Sequence, residues 1–249
     1  MSISLKQAVC SVSNDTHWVS KVLIGSLLLF FPSFVYIFHG IRRLLFDPIN
    51  YYLIALFVLL SLFINIAICG YFFKAVHNRI VHLKSKLPSW NYFTYYLYIG
   101  MKAYIGGFIF SLPFLLISCV TLYISPKTFS IEMLPCAVFL LLLHIVYTAM
   151  YIMLALSFSM KFKVKAFLNI KKAYKFVRDN VKRYILLIFY CLLIALANII
   201  LTAVLFNAQI FALLIPFISF YVCLIYTDLF AQFALNCDEN QSLKDKYFS

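Results

Sequence analysis

Long apolar runs recur along this chain, each of the length a helix needs to cross a lipid bilayer. A helix rises about 1.5 Å per residue, so roughly 20 apolar residues span the ~30 Å hydrocarbon core. Runs of this kind occupy residues 22–41, 49–73, 98–124, 134–160, 184–206 and 210–233. Lipid offers a backbone no hydrogen-bonding partner, so each run must satisfy its own amides as a helix, and none alternates as a barrel strand would. The expected fold is therefore all-α, a polytopic transmembrane helical bundle of six spans. Hydrophobic residues make up 65% of the chain and charged residues 12%, against roughly 45–50% and about 25% in soluble domains. A soluble fold of this size has too little interior to hide so much apolar surface.

The distribution of charge orients the bundle. The net charge is +13, but the cations sit in short segments between apolar runs and not over a polar domain, so nucleic acid is not an expected partner. With six spans, all but three of the 21 Lys and Arg (Arg42, Arg43 and Lys127) fall on one side. Cytoplasmic loops carry such an excess, which puts both termini on the cytoplasmic side of the cell membrane. A wrong span count would place the two richest basic segments on opposite faces. Residues 1–21 are polar, and no small-residue cleavage pattern follows the first run, so that run reads as an uncleaved span. The seven cysteines form no CxxC pair and lie mostly in apolar runs, which reads as small buried hydrophobes, with no metal site and no cofactor expected.

Two cytoplasmic segments carry a second pattern inside their charge. In residues 161–183, Phe167, Ile170, Tyr174, Val177 and Val181 recur at helical steps. Lys171, Lys172, Lys175, Arg178 and Lys182 fill the other faces, with Lys161 and Arg183 at the ends. This is the pattern of an amphipathic helix on the inner leaflet, where each basic residue gains on the order of 1 kcal/mol from anionic lipid. Residues 74–90 repeat the device: Val76, Ile80, Leu83 and Leu87 keep the step, Lys74, Arg79, Lys84 and Lys86 supply the charge, and Pro88 ends the helix. The repeated order of span, basic helix and span suggests a weak internal duplication. Trp90, Tyr92, Phe93, Tyr95, Tyr96 and Tyr98 follow, as expected of rings anchored at headgroup level.

Polar residues within spans are costly in lipid and are functional candidates by default. His144 falls about ten residues into the fourth span, and its imidazole is expected to bond a neighbouring helix ahead of relaying protons. Asp228 and Lys102 fall at similar depth and are expected to pair, while Asn65, Asn198 and Thr202 read as interhelical hydrogen-bonding groups. Pro32, Pro113 and Pro216 each interrupt a run and should kink it, with Gly100, Gly106 and Gly107 adding freedom to the third span. No HExxH, GxSxG or phosphate-binding loop is present, and the eight acidic residues are mostly scattered at span ends, so no catalytic residue is assigned.

Gly70 and Tyr71 end one run, a basic stretch leads to Leu87, Pro88 and Trp90, and Gly100 and Lys102 open the next. This arrangement resembles the signature of an uncharacterised prokaryotic integral membrane family. Residues 172–187 and 216–233 are similar to that family as well. The resemblance implies a helical bundle of this layout and supplies no substrate.

The function expected from these features is that of a non-enzymatic membrane protein associated with anionic membrane lipids. It would act in membrane organisation or as a subunit of a membrane complex, with a second copy or a complex partner beside it. The alternative is a transporter or channel for a small solute or lipid, built around the kinked spans and His144.

Overall fold

The computed structural model describes residues 3–37, 48–82, 87–124, 134–207 and 214–237, and these are almost wholly helical. In chain order the α-helices are α1 (Leu5–Ser13), α2 (Trp18–Ile37), α3 (Pro48–His82), α4 (Phe93–Ile124), α5 (Leu134–Lys161), α6 (Ile170–Asp179), α7 (Val181–Asn207) and α8 (Ile215–Cys237). Short 3-10 turns at Trp90–Tyr92 and Val164–Leu168 precede α4 and α6. Among the described residues, α3, α4, α5, α7 and α8 are long and apolar enough to cross a membrane. The first expected span falls on the 20-residue helix α2; residues 38–41 of that span lie outside the described residues. So do the loop at 125–133, positions 208–213, and 238–249 of the polar tail at 236–249.

Helix ends follow local chemistry. Ser4 caps α1 by accepting from the Gln7 N–H at 3.4 Å, and Pro48 opens α3 at a position where its missing N–H costs nothing. Pro216, expected to kink a span, instead lies in the first turn of α8, where no backbone bond is lost. Pro113 lies inside α4, which continues through it. Phe162 takes φ 52°, a left-handed conformation that turns the chain out of α5.

The helices group into two compact units. The first contains α1, α2, α3, the start of α4, α7 and α8. α8 is its hub, packing against α1, α2, α3 and α7, and 56% of its most hydrophobic stretch is buried, against 11% for α7. Its core joins Val12, Val22, Ile64, Ile68, Tyr71, Tyr96, Phe220 and Leu224. α3 and α4 meet backbone to backbone at two glycines. A Cβ on Gly70 would strike the carbonyl oxygen of Tyr96, and one on Gly100 that of Ile66. Small residues permit this approach between helices in lipid.

The residues of the Gly-Tyr and Leu-Pro-x-Trp stretches converge in this unit. The Trp90 ring stacks on Tyr71 at 4.1 Å, the Tyr71 hydroxyl donates to the Pro88 carbonyl at 3.1 Å, and the Trp90 indole N–H donates to the Lys21 carbonyl at 2.9 Å. The Tyr96 hydroxyl donates to the Ser89 carbonyl. Trp90 and Tyr96 therefore pack against the protein, where their polar tips find backbone partners. Tyr92, Phe93, Tyr95 and Tyr98 remain exposed.

The polar N-terminal stretch also folds, as a reading of its hydropathy did not anticipate. α1 buries Ala8, Ser11 and Val12. Behind it the Asp15 carboxylate accepts from the Lys21 ammonium at 2.9 and 3.1 Å, the His17 N–H at 2.9 Å and the Leu87 N–H at 2.8 Å. Burial pushes the Asp15 carboxyl up, but these hydrogen bonds and the Lys21 charge outweigh it and hold it below its ordinary value.

The second unit contains the remainder of α4, α5, the turn Val164–Leu168 and α6. The turn and α6 both pack on α5. Cys119 on α4 is exposed, as is Cys10 on α1, which corrects the expectation of burial at those two positions.

Candidate functional site

The basic stretch 161–183 is broken into pieces where one surface helix was expected. After Phe162 come the turn Val164–Leu168, then α6, then a break at Asn180 before α7 begins at Val181. Asn180 breaks the helix with its own side chain: its amide donates to the Phe176 carbonyl at 3.1 Å while its backbone N–H bonds Val177. Side-chain competition of this type is why Asn favours helix ends.

The apolar residues of the stretch divide into two sets. Ala166, Phe167, Ala173 and Phe176 are buried. Phe167 lies in a run of rings with Tyr151 at 5.9 Å and Phe158 at 5.3 Å, and it occupies space that Gly106 leaves open, since a Cβ there would strike its ring. Ile170 and Tyr174, expected on the apolar stripe, are 43% and 63% exposed, and Leu168 is 56% exposed.

All the cations here, Lys161, Lys163, Lys165, Lys171, Lys172, Lys175, Arg178, Lys182 and Arg183, are exposed. Asp179 is the one carboxylate in the stretch, 3.3 Å from the Arg178 guanidinium. The surface is thus strongly cationic, with apolar side chains set among the charges.

The earlier basic segment is of a different kind. Residues 74–82 are the last turns of the continuous helix α3 and not a separate surface helix. Val76 and Ile80 are buried. Lys74 is half-buried, with its ammonium 5.8 Å from the Tyr95 ring centre. Arg79 places Nε 2.8 Å from Oδ1 of Asp228, with side-chain exposures of 14% and 5%. Lys84 and Lys86 lie outside the described residues.

Asp228 was expected to pair with Lys102, but the structure gives it Arg79 and the Gln232 amide, which donates to Oδ2 at 2.7 Å. Gln232 also accepts from the Ser4 N–H at 2.9 Å and donates to its carbonyl at 3.3 Å. Depth along the chain suggested Lys102, whereas the α3–α8 contact decides for Arg79. The Asn65 amide donates to the Ser61 carbonyl of its own helix at 2.8 Å, not to a neighbour. Asn198 Oδ1 is buried with no donor among the described residues. His144 is exposed on α5 and makes no hydrogen bond to another helix among the described residues; its ring centre lies 6.2 Å from that of Tyr147, one turn on. Tyr147 in turn meets Ser111, hydroxyl to hydroxyl, at 2.8 Å. Sequence reasoning passed over both residues, because neither is ionisable in the ordinary range and each resembles its neighbours.

No curated protein and no solved structure matches the chain. A family profile matches residues 53–208, well over half of its length. That stretch runs from α3 through α7 and includes the basic segment. The chain belongs to the family described as "Protein of unknown function (DUF4013)".

Proposed function

We propose that this protein is a non-enzymatic, multi-pass membrane protein that gathers anionic lipid headgroups at the basic stretch 161–183 on its cytoplasmic side, in membrane organisation or within a membrane complex. One observation carries the reading: every cation of that stretch is exposed, beside exposed Leu168, Ile170 and Tyr174. A helix held at the end of a membrane span with both kinds of side chain outward suits the interface, where rings and aliphatic chains enter the headgroup layer and ammonium groups meet phosphate. Each cation contributes on the order of 1 kcal/mol, within a Debye length of about 8 Å. The segment's hold on α5 through Phe167 supports a fixed position over a tethered loop.

The transporter reading has less support. It requires a polar path near mid-membrane, whereas Asn65 bonds its own helix and His144 borders a mostly apolar groove.

The test is native mass spectrometry of the full chain from detergent containing equal phosphatidylglycerol and phosphatidylcholine. The wild type should retain phosphatidylglycerol preferentially. Changing Lys171, Lys172, Lys175 and Lys182 together to Gln should remove most of that preference, while Lys74→Gln leaves it in place. Unchanged preference in the fourfold variant would sink the reading.

A further inference from the structure

Between α4 and α5 the second unit has a groove of about 840 Å³. We propose that it binds an uncharged lipid carrying a hydroxyl and a carbonyl group, whose polar end sits against His144 and Tyr147 and whose chain lies along Phe108, Leu115 and Leu141.

The volume lies within the roughly 300–1,000 Å³ of small-ligand sites, which are mostly apolar with a few placed polar groups. This groove has that character: its walls are chiefly Phe, Leu and Ala, with polar atoms from Ser111, Ser118, His144 and Tyr147. The hydrogen bonds among them define what is left to offer. Ser118 donates back to the Phe114 carbonyl at 2.8 Å. Ser111 donates to the Gly107 carbonyl at 2.7 Å, so its one proton is committed and the Tyr147 hydroxyl must be the donor to Ser111 across their 2.8 Å contact. Tyr147 therefore keeps acceptor capacity and no spare proton. His144 has no hydrogen-bond partner among the described residues, and in its neutral form it presents one N–H and one bare nitrogen. The complement is a molecule with a hydroxyl to donate and a carbonyl to accept.

Depth and charge narrow the class. His144 is ten residues into α5, about 15 Å along the helix and near the middle of the hydrocarbon core. An exposed imidazole at that depth is costly without a partner. No Lys, Arg, Asp or Glu occurs between Ala103 and Ile124 or between Leu134 and Met160, so nothing would compensate a charged ligand. Phospholipids hold their polar groups at the interface; a neutral lipid can bring a hydroxyl to mid-membrane.

The test uses the full chain in phosphatidylcholine vesicles with a photoactivatable diacylglycerol, or with photoactivatable phosphatidylcholine of the same acyl chain. The diacylglycerol probe should label the peptides around 108–118 and 137–147 more strongly, by the roughly three- to tenfold that a net hydrogen bond supplies. The exposed residues Leu192, Leu193, Leu196 and Ile199 of α7 should label equally with both. His144→Leu with Tyr147→Phe should abolish the selectivity while circular dichroism shows the helices intact. Equal labelling by both probes, or selectivity that survives the double substitution, overturns the proposal. So does efficient disulfide-linked dimer formation by His144→Cys in the vesicles, which would assign the groove to a second copy of the chain.

Discussion

The indole of Trp90 lies flat on the phenol of Tyr71, ring centres 4.1 Å apart and planes 7° from parallel. Tyr71 lies in α3, and Trp90 begins the turn that leads into α4. The stack thus closes the connection between two long helices. Its edges are fixed by hydrogen bonds to the Pro88 and Lys21 carbonyls, so the first turn of α2 and the segment before α4 are tied to one aromatic pair.

Trp90→Ala should destabilise the first unit by about 3 kcal/mol, the lower end of the range for removing a large aromatic side chain. Trp90→Phe keeps a ring on Tyr71 and loses the bond to Lys21, at a cost nearer 1 kcal/mol. Thermal unfolding in detergent, followed by circular dichroism, should rank wild type above Trp90→Phe and Trp90→Ala last.

Gly70 and Gly100 face backbone carbonyls of the opposite helix, and a carbonyl cannot swing aside as a side chain can. Alanine at either should push α3 and α4 apart and cost about 3 kcal/mol or more, at the upper end for overpacking. Gly107→Ala is the control, because its added Cβ would first meet the end of the Tyr151 side chain at 3.3 Å. Size-exclusion profiles and melting temperatures should separate the first two variants from the third.

The Arg79 and Asp228 pair is nearly removed from solvent. Asp228→Asn or Arg79→Met alone leaves one charge without its partner, which costs about 3–5 kcal/mol for buried pairs. Arg79→Met with Asp228→Leu should recover much of the loss, since a buried pair is often replaceable by apolar groups. A double-mutant cycle on thermal stability measures the coupling, and strictly additive losses would refute it.

Asp15 predicts an acid limb. Its carboxyl is held below the ordinary value of about 3.9 that an unfolded chain would show. A depressed folded-state value means that its contribution to stability is complete above about pH 4 and is lost as pH falls through the lower folded value. Asp15→Asn should therefore lower the melting temperature by a constant amount at neutral pH, and the two curves should converge in acid. A difference that widens below pH 4 would contradict the assignment.

Much of this architecture is legible without coordinates. The expected spans at 98–124, 134–160 and 184–206 coincide with α4, α5 and α7 to within a few residues. The length of an apolar run against the bilayer is a local property, needing no knowledge of neighbours. The cationic character of 161–183 was legible for the same reason, since charge is read residue by residue.

What needed the tertiary structure was every choice of partner. Asp228 could be seen as a costly charge, but only the packing of α3 on α8 gives it to Arg79. Trp90 and Tyr96 have the composition of a headgroup belt, and only the carbonyls of Lys21 and Ser89 turn them inward. Residues 74–82 have the pattern of a surface helix, yet they continue α3, because a helix goes on wherever its next turn finds something to pack against. The sequence by itself determined which segments leave water and which stay charged, since transfer from water to lipid depends on a side chain and its immediate run. The tertiary structure alone decided which groups meet, because contacts between residues far apart in the chain depend on how the helices cross.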